Sequence, residues 1–147
     1  MESALVDDFG QYIGRAMGWP PMAGRMAGVL MMSEKPLGTA ELQEILDASK
    51  GSVSEMTRLL ITNGTVRRFK PPGSRQFVFE WRDDAWAGCL QHQRDQTAEL
   101  LELSRRSMTQ ARTLDTVQRA RVRQMHDYYV FMLEALDALL TRYQASR

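Results

Sequence analysis

The run Pro71-Pro72-Gly73-Ser74 cannot sit inside a helix or a central strand, because each proline lacks a backbone donor and holds φ at about −65°. On either side stand "TVRRFK" and "RQFVFEW", short runs carrying Val66, Phe69, Phe77, Phe79 and Trp81, so residues 65 to 82 are expected to form a β-hairpin. Directly before it, "DASKGSVSEMTRLLITNG" reads as a polar turn, a helix over about 50–63 begun near Ser49 or Gly51, and a stop at Asn63-Gly64. Residues 40 to about 47 predict a shorter helix that buries Leu42, Ile45 and Leu46, with Thr39 as its N-cap after a turn "EKPLGT". The order short helix, polar turn, second helix, hairpin is that of a helix-turn-helix followed by a wing.

Two more helices are expected upstream. Residues 2 to about 17 place Leu5, Phe9, Tyr12, Ile13 and Met17 at three- and four-residue steps, a helical stripe. Pro20-Pro21 ends it and opens the next, over about 21–33, where Ala23, Gly24, Ala27 and Gly28 allow a neighbouring helix to approach closely. From Asp83 the pattern is helical to the end, interrupted near "ARTLD", with Thr113 as a candidate cap for the last helix. Leu114, Val117, Met125, Met132, Leu136 and Leu139 then form a seam longer than a small core can use. With Leu5 and Phe9 they are the candidate dimer interface; packing against the first helix of the same chain is the alternative, and the two are compatible.

The expected architecture is therefore mainly α with a small β-hairpin wing. Residues 1–20 form an N-terminal interface helix, 21–82 the winged helix-turn-helix, and 83–147 long dimerisation helices. A chain of 147 residues, 44% hydrophobic and 25% charged, has material for such a core. The amino terminus has acidic residues and no basic leader, and no apolar run reaches membrane-spanning length, so a cytoplasmic setting without membrane contact is expected. One cysteine permits no internal disulfide, and two histidines without cysteine partners make no metal site. No Ser, Cys or acid constellation accompanies His92 or His126, so no catalytic residues and no cofactor are expected. Cys89 has no nearby cation in "AWAGCLQHQ" to stabilise a thiolate; a buried inert thiol is favoured over a redox sensor.

The net charge of +1 is too small for bulk attraction to a polyanion, so its distribution decides. Residues 65–82 hold Arg67, Arg68, Lys70, Arg75 and Arg82 against Glu80, a net +4, whereas residues 33–49 hold four carboxylates against Lys35. A basic ribbon beside a helix bearing small hydroxyls is the footprint of a duplex binder. The candidate DNA contacts are Ser49, Lys50, Ser52, Ser54, Thr57 and Arg58 on the helix, with Arg67, Arg68, Lys70 and Arg75 on the hairpin. Against this, serines at a helix start are commonly caps, and basic side chains on a hairpin edge commonly serve solubility.

Residues 24–81, with "SKGSVSEMTRLL" the most specific piece, resemble the winged helix-turn-helix of the MarR superfamily, in particular its GbsR-like branch. The resemblance implies a homodimer whose N- and C-terminal helices interlock and which presents two recognition helices and two wings to a near-palindromic duplex. It places Lys50, Ser52, Ser54, Thr57 and Arg58 on the recognition helix and Arg75 at the wing tip, reaching a minor groove. Many such proteins carry Asp two places before the wing arginine; here that position is Gly73, and Gly73-Ser74-Arg75 fits the G-x-R form of the GbsR-like branch. The resemblance also implies ligand-gated repression. Trp19, Trp81, Trp86 and Tyr128 are candidate lining for a small apolar effector or, through cation–π attraction, a quaternary ammonium ion. The competing reading is a winged-helix and coiled-coil module that binds a protein partner and leaves its basic wing in solvent.

Overall fold

In the computed structural model, residues 3–110 and 112–147 are described; the expected helix start at residue 2 and Ala111 of the "ARTLD" interruption lie outside them. Among the described residues the chain runs α1 (Ser3–Met17), α2 (Pro21–Met32), β1 (Leu37–Gly38), α3 (Thr39–Leu46), α4 (Lys50–Asn63), β2 (Val66–Phe69), β3 (Val78–Trp81), α5 (Ala85–Gln110) and α6 (Thr116–Ala145). Residues through Gly88 form one compact unit and residues from Cys89 a second. The first unit is a helix-turn-helix with a three-stranded wing, mainly helical with a small sheet, as the sequence pattern implies.

The core of this unit is where the apolar sides of α2, α3, α4 and the sheet meet. Met26, Leu30, Leu42, Leu46, Val53, Leu60 and Val66 are fully buried there. Each such side chain contributes about 1.5–3 kcal/mol through removal from water. Ile45, expected in this core, is 46% exposed; an eight-residue helix presents one narrow face, and Leu42 and Leu46, four apart, take it.

The start of α3 also differs from expectation. Its N-cap is Gly38 instead of Thr39, so Glu41 occupies the third helical position and its Oε1 accepts from the Gly38 N–H at 3.2 Å. What sets this start is the sheet: Leu37 and Gly38 are not a turn but a short strand paired antiparallel with Phe79 and Val78. The strand order is β1-β3-β2, and β2 meets β3 in the register Val66↔Trp81, Arg67↔Glu80, Arg68↔Phe79, Phe69↔Val78.

Between α3 and α4 the chain turns through Asp47, whose φ of 49° is left-handed, a conformation that Asp tolerates better than most residues. The N–H groups of Asp47 and Ala48 close the end of α3 on the Glu44 and Gln43 carbonyls. Ser49 then caps α4, its Oγ accepting from the Ser52 N–H at 3.0 Å.

Helices α1 and α2 pack with their backbones in contact. A Cβ on Gly24 would lie 2.9 Å from Gly10 Cα, Gly10 O and Gly14 N, and one on Gly28 would lie 2.7 Å from the Phe9 ring. The small residues of α2 thus accept α1 of the same chain, and Phe9, a candidate dimer residue, is engaged on Gly28 within the subunit. Leu5 stays exposed on α1.

In the second unit, α6 is capped by Asp115, not Thr113. Asp115 Oδ1 accepts from the Gln118 N–H at 2.8 Å, and Gln118 Oε1 accepts from the Asp115 N–H at 3.1 Å. A reciprocal pair satisfies two orphan donors where a lone threonine satisfies one, and it leaves Leu114 outside the helix. The Arg94 Nε donates to Asp137 Oδ1 at 2.7 Å, joining α5 to α6. Hydrogen bonds to Asp137 and then Asp95 hold the Arg94 proton more firmly than usual. Leu136 and Leu140 of α6 are buried, whereas Val117, Tyr128, Phe131 and Leu139 are exposed. The expected seam is therefore divided. Steps of 11, 3 and 8 residues along α6 put the four exposed side chains within about 80° of one another around the helix. Met125 and Met132 are half-buried. Among the described residues no helix is long and apolar enough to cross a membrane.

At Gly24 the atoms in the way of a side chain are backbone and cannot swing aside. Gly24→Ala is expected to cost about 1–3 kcal/mol despite alanine's better helix propensity. Gly51→Ala, whose Cβ would meet only Ser49 Oγ at 4.0 Å, should be neutral or stabilising. Urea titrations followed by circular dichroism distinguish the two: a midpoint unchanged in Gly24→Ala would refute the close helix approach.

Candidate nucleic-acid interface

The exposed side of α4 begins with Lys50 and continues through Ser54 and Arg58 at four-residue steps, which stacks the three on one strip of the helix. The strip is one wall of a groove of about 640 Å³, whose other wall is the wing with Arg68, Arg75, Gln76, Phe77 and Phe79. Thr39, Ala40 and Gln43 of α3 and Thr57, Ile61 and Thr62 of α4 complete the lining. One helix edge and one β-ribbon therefore face a common channel within a single compact unit.

The wing is shaped by its turn. Gly73 has φ 78°, and the Ser74 N–H donates to the Pro71 carbonyl at 3.0 Å. Proline followed by a glycine of positive φ, closed by that hydrogen bond, is a type II turn. The Ser74 hydroxyl accepts from the Gln76 N–H at 3.1 Å, which ties down the residues flanking Arg75. Arg75 itself is exposed and, like Lys50, Arg58, Arg68 and Lys70, is in no ion pair among the described residues. The Arg68 guanidinium lies 4.1 Å and the Lys70 ammonium 4.7 Å from the centre of the Phe77 ring, so one half-exposed aromatic orients two cations beside the groove.

Four of the expected contact residues have their polar groups engaged within the fold. Thr57 lines the groove but is only 3% exposed, and its hydroxyl donates to the Ser54 carbonyl at 3.0 Å, which occupies its proton within the helix. Alternation along β2 sends Arg67 to the face opposite Arg68, where it is ion-paired with Glu80 and stacked on Phe69. Ser49 is occupied as the cap of α4, and Ser52 is half-buried, its N–H used by that cap. Arg82, counted in the basic charge of the hairpin, donates to both oxygens of Asp84 and to the Gly64 carbonyl at 3.0 Å. Two of the five hairpin cations are thereby spoken for inside the fold.

Gln43, Thr62, Gln76 and Phe77 line the groove and were absent from the expected contacts. Phe77 was legible only as a strand hydrophobe. The cue lay in the pattern Arg68-x-Lys70 before the turn and Phe77 after it, which the hairpin brings together.

Among the candidate effector aromatics, Trp81 and Trp86 meet edge to face with centroids 5.6 Å apart, and Trp86 is half exposed. Trp19 packs against the core and makes no ring contact with them. Tyr128, in the second unit, meets Tyr129 at 5.0 Å. Cys89 is buried, and among the described residues no three His, Cys, Asp or Glu side chains gather as a metal site.

A family model described as MmpR5-like MarR family transcriptional regulator matches residues 84–146. The HTH-type transcriptional regulator MmpR5 of Mycobacterium tuberculosis is 28% identical over 123 residues, covering 83% of this chain and 74% of that protein. The putative HTH-type transcriptional regulator YvaV of Bacillus subtilis is 29% identical over 69 residues, 47% of this chain and 39% of that one. A crystal structure described as a transcriptional regulator superposes with a TM-score of 0.87 at 26% identity and covers 97% of both chains.

A Cβ on Gly73 would touch nothing within 4 Å, so only backbone strain opposes a side chain there. Gly73→Ala is expected to lower stability by about 1 kcal/mol through the positive φ alone. Thermal denaturation checks it, and an unchanged transition would mean that the turn is not held in the type II form.

Proposed function

We propose that the chain is a MarR-type winged-helix transcriptional regulator, a DNA-binding protein and not an enzyme, as its likeness to MmpR5 and to a solved transcriptional regulator supports, and that it acts as a homodimeric, ligand-responsive repressor that reads a near-palindromic operator. The observation that carries the proposal is the groove between α4 and the wing, onto which Lys50, Arg58, Arg68 and Arg75 converge without carboxylate partners. In this reading α4 enters the major groove with Lys50, Ser54 and Arg58 toward base edges and phosphates. Arg68 and Lys70, held on Phe77, take the flanking backbone, and Arg75 reaches the adjacent minor groove. Ser49 and Ser52 contribute the N-terminal turn of α4, whose N–H groups favour phosphate. The Gly73-Ser74-Arg75 turn supports placement in the GbsR-like branch. A protein with this partner works in the cytoplasm, beside the chromosome.

Dimerisation is proposed through the exposed stripe of α6, Val117, Tyr128, Phe131 and Leu139, together with Leu5 of α1. Leu136, buried within its own chain, is left out. A two-fold axis would set identical recognition helices about one DNA turn apart, roughly 34 Å. Ligand control would act by favouring one spacing of these helices over another, which requires differential affinity for the two. The Trp81–Trp86 pair supplies two apolar walls for an effector.

Selection of duplexes from a random pool at near-physiological salt is expected to return a palindrome with half-sites about one turn apart. Failure to enrich any sequence, from folded protein, would favour the protein-interaction module. Arg75→Ala should weaken all duplexes alike and reduce the salt slope by about one, whereas Lys50→Ala and Ser54→Ala should change affinity unevenly among operator variants. Equal binding by all three variants would displace α4 and the wing from the interface. For the dimer, Phe131 is 68% exposed, so Phe131→Glu should leave the fold intact and shift sedimentation toward monomer; an unaltered dimer would remove α6 from the interface.

A further inference from the structure

The connection between α5 and α6 concentrates more positive charge than the wing does. Residues 105–123 hold Arg105, Arg106, Arg112, Arg119, Arg121 and Arg123 against Asp115 alone, a net +5. Three of these, Arg112, Arg119 and Arg123, line a hollow of about 330 Å³ within the second unit. Beside them stand three apolar side chains, Met108, Leu114 and Val122, and Ser107, whose hydroxyl donates to the Leu103 carbonyl at 2.8 Å. No acidic residue lines it, and the nearby Asp115 carboxylate is committed to the Gln118 N–H at 2.8 Å as the cap of α6. Among the described residues none of the three arginines is in an ion pair. Arg119 Nη2 donates to the Arg112 carbonyl at 3.2 Å, which restrains one guanidinium in advance of any ligand.

Three guanidinium groups around one hollow repel one another until an anion is shared among them, and the planar fork of arginine suits carboxylate and phosphate oxygens. The apolar surface between them rewards a ligand that also carries hydrocarbon. A volume near the lower end of small-ligand pockets limits that hydrocarbon to a short chain or a single ring. We propose that the α5–α6 hollow is a binding site for a small organic anion, a carboxylate or phosphate monoester joined to a short apolar body. This site lies wholly in the second unit and stands apart from the DNA-binding reading.

Isothermal titration calorimetry of the full chain at constant ionic strength tests it, with hexanoate and hexyl phosphate as probes and hexan-1-ol and inorganic phosphate as their two halves. Either amphiphilic anion should bind about tenfold tighter than both halves, because the charge-assisted contacts and the apolar burial are each worth about one factor of ten. Arg123→Gln and Arg119→Gln should each weaken it about tenfold, while Arg106→Gln, exposed and outside the hollow, should not. If Arg123→Gln fails to fold by circular dichroism, Arg123→Lys replaces it, with a smaller loss expected because the charge stays and the fork is gone. Inorganic phosphate binding as tightly as hexyl phosphate would reduce the site to a basic surface, and hexan-1-ol binding as tightly would reduce it to an apolar patch. Either result, an insensitivity to Arg119 and Arg123 substitutions, or the absence of any binding overturns the proposal.

Discussion

The groove depends on one junction, where the end of α4, the exit of the hairpin and the start of α5 are drawn to a point. Gly64 closes α4 with φ 88°, and a Cβ there would lie 2.5 Å from the Gly88 carbonyl oxygen. The Arg82 N–H donates to the Thr65 carbonyl at 2.9 Å, and Arg82 Nη1 donates to the Gly64 carbonyl at 3.0 Å. These contacts bring the two ends of the hairpin together beside the last turn of α4. The close approach of the two glycine backbones and the Arg82 guanidinium, neutralised by Asp84 and donating to the Gly64 carbonyl, hold the hairpin exit against the end of α4. Arg82 is thus a structural cation, and its bidentate pairing with Asp84 keeps it so.

The same economy of charge runs through the wing. Period-two alternation gives β2 two chemically different faces: Arg67 meets Glu80 across the ladder, while Arg68 turns to the groove and rests on Phe77. An exposed ion pair of the Arg67–Glu80 kind contributes at most about 1 kcal/mol to stability. Its larger consequence is for recognition, because it neutralises one positive charge on the opposite face and leaves Arg68 and Arg75 on the side that α4 also faces. Long-range attraction to a polyanion is directional only when charge is concentrated in this way. The concentration of arginines at the α5–α6 connection is a second such case.

Much of this was legible in the residue order. Pro71-Pro72-Gly73-Ser74 required a turn, the flanking runs required strands, and Ser49 at the head of an apolar-periodic segment required the start of a helix; all three rest on local chemistry that operates within a few residues. Lys50, Ser54 and Arg58 could be placed on one helix strip for the same reason, since the helix period is local, whereas Arg75 was set at the wing tip only by the family resemblance. The errors have a common origin. Leu37-Gly38 looked like a turn because a two-residue strand has no period of its own, and only pairing with Phe79 and Val78 makes it one. Thr57 stands on the groove wall, yet only the folded helix shows that its proton is already given to the Ser54 carbonyl.

The sequence by itself therefore determined the kinds and order of the elements other than β1, the basic character of the hairpin and the small residues of α2 that admit a neighbouring helix, because propensity, turn chemistry and charge count are properties of short stretches. Tertiary structure alone decided which cations are free. Arg67 and Arg82 are indistinguishable in composition from Arg68 and Arg75, and they part company only when strand register sets Glu80 opposite Arg67 and when the junction at Gly64 folds Arg82 back on itself. It also decided that the apolar surface of α6 splits into a buried side at Leu136 and Leu140 and an exposed side at Phe131. A helical repeat tells which residues share a face, and only the packing of neighbours tells which face is already covered.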